Sequence, residues 1–150
     1  MASFLISVHR KIHSEKLKKD IVFERVEDVA IAVIPEISEK GDEEWIVYLL
    51  NLKEKQIDGV LISSKGYGNL EGKDVKTSTL RQFFEKIDPH DFVKVEWIDK
   101  RLFGINNEFW VSFWYQGTLF DKRYVFVTES IIENNFTEIP MLGKRGVMIR

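Results

Sequence analysis

The sequence predicts an α+β fold: a single domain over residues 1–150, built on a mainly antiparallel six-stranded sheet. The order read from it is an N-terminal helix, a β-meander, a second helix and a second β-meander. Three observations point there. Residues 107–128 hold two aromatic and β-branched runs separated by Gln116-Gly117, the pattern of a β-hairpin. Residues 26–64 carry three apolar runs with short polar links. Leu80, Phe83, Phe84 and Ile87 fall at i, i+3, i+4 and i+7, one apolar stripe on a helix. A six-stranded two-layer barrel is the alternative arrangement of the same strands.

In chain order, Phe4, Leu5, Val8 and Ile12 recur at helical spacing and place an amphipathic helix over residues 4–19. The first strand follows at 26–35, with Val29, Ile31 and Val33 on one face and Ala30, Ala32 and Ile34 on the other. Pro35 closes it, since proline has no N–H to donate to a ladder. Residues 44–52 and 59–64 are the second and third strands. Ser63 to Lys76 reads as a polar, glycine-rich loop, entering the helix at Thr77-Ser78-Thr79. Residues 92–99 resume strand, and the hairpin comes next. Phe109, Val111, Phe113 and Tyr115 share one of its faces, and Trp110, Ser112 and Trp114 the other. The tail from Glu129 is weakly patterned. The expected core is Ile31, Val47, Leu49, Leu61, Leu80, Phe84, Val95, Val111, Phe113 and Val125.

Composition bounds what such a chain can do. Its 150 residues are 44% hydrophobic and 31% charged, as in soluble globular proteins. The net charge of −2 argues against whole-surface attraction to nucleic acid or anionic membrane. Charge is uneven: residues 1–20 carry five basic and two acidic side chains, and the remainder 17 basic and 22 acidic. The chain has no cysteine, which excludes a disulfide framework, a thiolate zinc site and a cysteine nucleophile, and fits a reducing cytoplasm. No apolar run approaches the ~20 residues of a membrane span, and the Phe4-Leu5-Ile6 patch is too short for a signal peptide.

The candidate site is the Ser63–Thr79 stretch. Lys65, Gly66, Gly68, Lys73, Lys76, Thr77, Ser78, Thr79 and Arg81 form a plausible anion cradle, with backbone N–H groups and a helix start doing the holding. It is not a Walker A loop, because the glycine spacing is wrong and Asp74 follows Lys73. Phe109, Trp110, Trp114 and Tyr124 are candidates for a protein interface. With Lys122 and Arg123 beside them, the aromatics would also stack single-stranded bases. His9 and His13 are four apart, but Arg10 stands where a zinc protease carries its glutamate, and no metal site is expected. His90 is a loop residue. Glu96, Asp99, Glu108 and Asp121 are acids on or near strands with no spacing that forces two together. No Gly-x-Ser-x-Gly elbow occurs.

At Ser64-Lys65-Gly66-Tyr67, Lys76-Thr77-Ser78-Thr79-Leu80-Arg81, Asn107-Glu108-Phe109 and Ile139-Pro140 the chain resembles a family of small bacterial proteins of unassigned function. Some of its members are labelled as related to phenylalanyl-tRNA synthetase. The resemblance spans much of residues 28–146 and supplies no catalytic residues. The synthetase label has no support in this chain, which is far smaller than a class II catalytic core and lacks its ATP-binding arginine motifs. The expectation is a non-enzymatic interaction or oligomerisation module without cofactor, a homodimer or the binder of a protein partner, with no membrane association. The alternative is a phosphate-ligand or RNA binder using the Lys65–Arg81 loop.

Overall fold

The computed structural model describes residues 25–150. Ten strands run along them: β1 (Val29–Ile37), β2 (Glu43–Asn51), β3 (Ile57–Leu70), β4 (Lys73–Lys76), β5 (Leu80–Ile87), β6 (Asp91–Trp97), β7 (Asn106–Tyr115), β8 (Thr118–Phe126), β9 (Thr137–Ile139) and β10 (Lys144–Ile149). The only helical turns among the described residues are 3-10 turns at Lys100–Gly104 and Glu133–Asn135. Two antiparallel sheets result. Sheet A has the order β6-β2-β1-β10-β9; sheet B has β4-β3-β7-β8, with β5 also on β3.

The inner faces enclose the main core, which includes Ile31, Val33, Leu49, Val60, Val111 and Phe113. Alternation supplies it: Phe109, Val111 and Phe113 point inward from β7, while Glu108, Trp110, Ser112 and Trp114 point outward. Gln116 and Gly117 both have positive φ, 48° and 81°, as a two-residue hairpin turn requires. β3 is the long strand of sheet B. It pairs β7 on one side; on the other it pairs β5 along Ile57–Ser64 and β4 along Tyr67–Leu70. Between those partners Thr77 bridges the gap. Its N–H donates to the Gly66 carbonyl at 2.9 Å and its Oγ1 accepts from the Gly66 N–H at 2.7 Å. Gly59, at φ 52°, forms a bulge that lets both Ile57 and Val60 face the core. A side chain there would press on the Trp114 ring, 3.3 Å from an added Cβ.

Two polar residues fasten the layers. The Tyr124 hydroxyl on β8 donates to the Val29 carbonyl on β1. The fully buried Asn51 amide, at the end of β2, donates to the carbonyls of Lys55, Ile87 and Asp88, where β5 leaves sheet B for β6 in sheet A. At the same border Gln82 donates to the Val95 carbonyl.

The α+β expectation is overturned. Strands make up 63% of the described residues, with no helix of seven residues or more, and ten strands in two sheets replace the six expected. Residues 80–87 are a strand. Leu80 and Phe84 fall on one side and Phe83 on the other, so the apparent stripe is split across the sheet. Neither meander is continuous: β3 leaves β1 and β2 for the other sheet, and β6 pairs with β2. β1 runs two residues past Pro35. It does so where β10 no longer flanks it, so the missing N–H breaks no ladder on that side. The helix expected at 4–19 lies outside the described residues. Of the expected core, Leu61 and Val125 sit on the outer face of sheet B. Leu80 is 52% exposed on the rim, and Phe84 is half-buried there.

Candidate functional site

The outer face of sheet B is the surface on which the sequence-expected residues meet. Cross-strand register sets them in rows: Lys65 beside Glu108, then Arg81, Ser63, Trp110 and Arg123, then Phe83, Leu61, Ser112 and Asp121. Leu61, Ser63, Lys65, Thr79, Arg81, Glu108, Trp110 and Ser112 line a shallow hollow of about 260 Å³.

Glu108 is its electrostatic centre. The carboxylate is nearly buried, yet it lies 3.6 Å from the Lys65 ammonium and 3.6 Å from the Arg123 guanidinium, and accepts from the Tyr67 hydroxyl at 3.3 Å. These partners offset the cost of taking a carboxylate out of water. Burial, and then the adjacent Glu108 charge, push the Tyr67 hydroxyl above its ordinary range. The Trp110 indole N–H donates to Asp121 at 3.0 Å, which orients the ring over the floor. Arg81 has no ion-pair partner among the described residues. Three cations therefore face two carboxylates around one indole, and the hydroxyls of Ser63, Thr79 and Ser112 fill the gaps. None of the lining residues is a histidine, so the hydroxyls have no imidazole base beside them. What the hollow offers is charge, hydroxyls and one indole on the same open face.

Of the anion-binding candidates, Lys65, Thr79 and Arg81 come together in the hollow. Lys73 and Lys76 stand exposed on β4, outside it, and Ser78 is exposed in the link to β5. Gly66 and Gly68 are β3 residues placed against Ile105: a Cβ on Gly66 would sit 3.0 Å from that side chain, and one on Gly68 3.2 Å. Thr77 is used in its bridge to Gly66. The cradle expected as a loop entering a helix is instead a strand hairpin with no helix N-terminus, so its backbone amides serve the ladders.

Among the interface candidates, Trp110 and Trp114 are on the outer face. Phe109 and Tyr124 are corrected: both are inner-face residues, 2% and 1% exposed, and cannot meet a partner. Glu108 is a site residue beyond those the sequence singles out, and its parity with Trp110 and Ser112 is the signal that places it there. Glu96 lies instead against Ser64, and Asp99 caps the first 3-10 turn. His90 meets Glu54 at 3.2 Å in an exposed turn, and His9 and His13 lie outside the described residues. No group of three or more metal-ligating side chains occurs among the described residues, and no described helix is long and apolar enough to cross a membrane. No protein-family model and no curated protein sequence matches the chain.

Proposed function

We propose that this chain is a non-catalytic interaction module that self-associates through the outer face of sheet B. The observation that carries the reading is the exposure of Phe83 and Trp114, 65% and 45%, on a face that no described element covers. Large exposed aromatics rimmed by charge are the composition of a protein contact. Arg81 and Glu85 stand on the same side of β5, so a two-fold pairing can set each against its opposite in the second copy. Sedimentation velocity over a range of concentrations tests this. The wild-type chain should dimerise, and Phe83→Glu with Trp114→Glu should be a folded monomer. A wild-type chain that stays monomeric throughout removes the proposal.

One observation favours a second reading. Lys65, Thr79 and Arg81 converge beside Trp110, with Arg81 lacking an ion pair among the described residues. That suits a phosphate-bearing ligand, with a short single-stranded RNA as the probe. Binding of that kind weakens as salt rises. Arg81→Ala should weaken it further, and replacing Lys73 and Lys76 together should change it little, since both stand outside the hollow. Dimerisation without RNA binding supports the first reading; salt-sensitive RNA binding that Arg81→Ala abolishes supports the second.

A further inference from the structure

Sheet A has a second apolar face, turned away from sheet B. Ala30, Ala32 and Ile34 of β1 and Ile46, Tyr48 and Leu50 of β2 form it, and Ala30, Ala32, Ile34 and Leu50 are completely buried. Yet every described apolar residue packed into this cluster belongs to sheet A, to its immediate strand ends, or to Leu142 in the β9–β10 turn. No described strand or 3-10 turn lies across it. A face of this composition is not left to water.

We propose that the segment 4–19 of the same chain covers this face, laying Phe4, Leu5, Val8 and Ile12 on the trough that Ala30 and Ala32 leave in β1. The reading is independent of the proposed self-association, which uses the other sheet.

Three features select this occupant. The described chain opens at Arg25 and reaches β1, the middle strand of sheet A, within four residues, so the preceding segment is delivered to this sheet. Asp28 pins that point. Its carbonyl accepts from the Leu52 N–H at 2.8 Å and its carboxylate holds Arg150 at 2.6 Å, while its φ of 61° turns the incoming chain off the strand axis. The length suffices: five strands about 4.8 Å apart span roughly 19 Å, and sixteen residues cover about 24 Å even at the 1.5 Å rise of the most compact regular backbone. Chemistry also sorts the two outer faces. That of sheet A is a continuous apolar surface, matching the four apolar side chains, whereas that of sheet B interleaves Lys65, Arg81 and Arg123 with Glu108 and Asp121 and offers no comparable apolar trough.

The absence of cysteine makes the test direct. In the full-length chain, Ala32→Cys is combined in turn with Leu5→Cys, Val8→Cys and Ile12→Cys, mildly oxidised and read by mass spectrometry. At least one pair should close an intramolecular disulfide, and Val8→Cys with Thr118→Cys, on the far hairpin turn, should not. Amide hydrogen exchange on the unmodified chain gives a second reading that no substitution can disturb, with slowed exchange expected across residues 4–15. Disulfides only between two chains would assign the face to a second copy. Slowed exchange only in the presence of anionic vesicles would assign the segment to a membrane surface. Free exchange with no cross-link would leave the face to another occupant. Each of these three results overturns the proposal.

Discussion

Tyr124 and Val29 are 95 residues apart in sequence and joined by a 2.5 Å hydrogen bond through the middle of the molecule. The hydroxyl arrives from β8 of one sheet and the carbonyl belongs to the first residue of β1 in the other. Each would be an unsatisfied polar group in an apolar interior without its partner.

Tyr124→Phe should therefore cost about 1–3 kcal/mol, because the Val29 carbonyl is left buried and unpaired. The effect has a pH signature. Burial holds the Tyr124 hydroxyl well above its ordinary range. Below the ordinary tyrosine value of about 10, folded and unfolded chains both keep the proton and the bond contributes in full. Above it the unfolded chain ionises first, so wild-type stability falls as pH rises. Denaturant titrations at pH 7 and at alkaline pH should show the gap between wild type and Tyr124→Phe narrowing.

Asn51→Leu removes the donor shared by the carbonyls of Lys55, Ile87 and Asp88 and the acceptor for the Lys53 N–H. Several buried backbone groups then lose their partner at once, and the loss should be at least ~2 kcal/mol in the urea midpoint analysis. A change within the ~0.5 kcal/mol of a surface site would mean that water replaces the amide there.

Gly146 lies where β10 crosses β1 most closely. A Cβ on it would stand 2.4 Å from the Val33 carbonyl oxygen and 3.1 Å from the Ile34 Cα, both backbone atoms that cannot step aside. Gly146→Ala should destabilise by about 1–3 kcal/mol or more through overpacking, while Gly72→Ala, in open space but at φ 83°, should cost only its backbone strain. A thermal melt in which Gly146→Ala is the milder of the two refutes the steric argument.

Burial raises the Glu96 carboxyl above its ordinary range, with a hydrogen bond from Ser64 opposing the shift. The folded chain thus holds this proton more tightly than the unfolded one. The charged form is a liability above the folded value, and the liability disappears as pH falls through it. Glu96→Gln should melt higher than wild type at pH 7 and lose that advantage near pH 4. An equal advantage at both pH values would show that charge is not the cause.

In sheet B the β7–β8 hairpin was legible because those two strands alternate cleanly. The hairpin at 107–128 and the division of its faces follow from period-two patterning alone. Residues 80–87 were not legible for a physical reason. Leu80 and Phe84 share a side in a helix and in a strand alike, so only Phe83 and Ile87 discriminate. Ile87 sits in the core beside the bulge at Gly59, opposite Ile57, which breaks the simple alternation along this pair of strands. Residues such as Leu, Arg, Gln, Glu and Lys are also good helix formers, and pairing with β3 overrides their preference. The site divided the same way. Lys65 and Arg81 were readable as cations near hydroxyls, but Glu108 becomes the partner of Lys65 only once β3 and β7 are adjacent, a contact across more than forty residues.

The pairing of β1 with β10, Ile31 opposite Ile149 and Val33 opposite Val147, makes the final strand an interior member of sheet A. A ribosome delivering this chain therefore releases β1 and β2 long before the strand that completes them. Until residue 149 emerges, β1 presents an open, aliphatic edge to every neighbouring nascent chain. Deleting β10 alone would make that transient edge permanent, and the harm would be clumping rather than the loss of a few contacts.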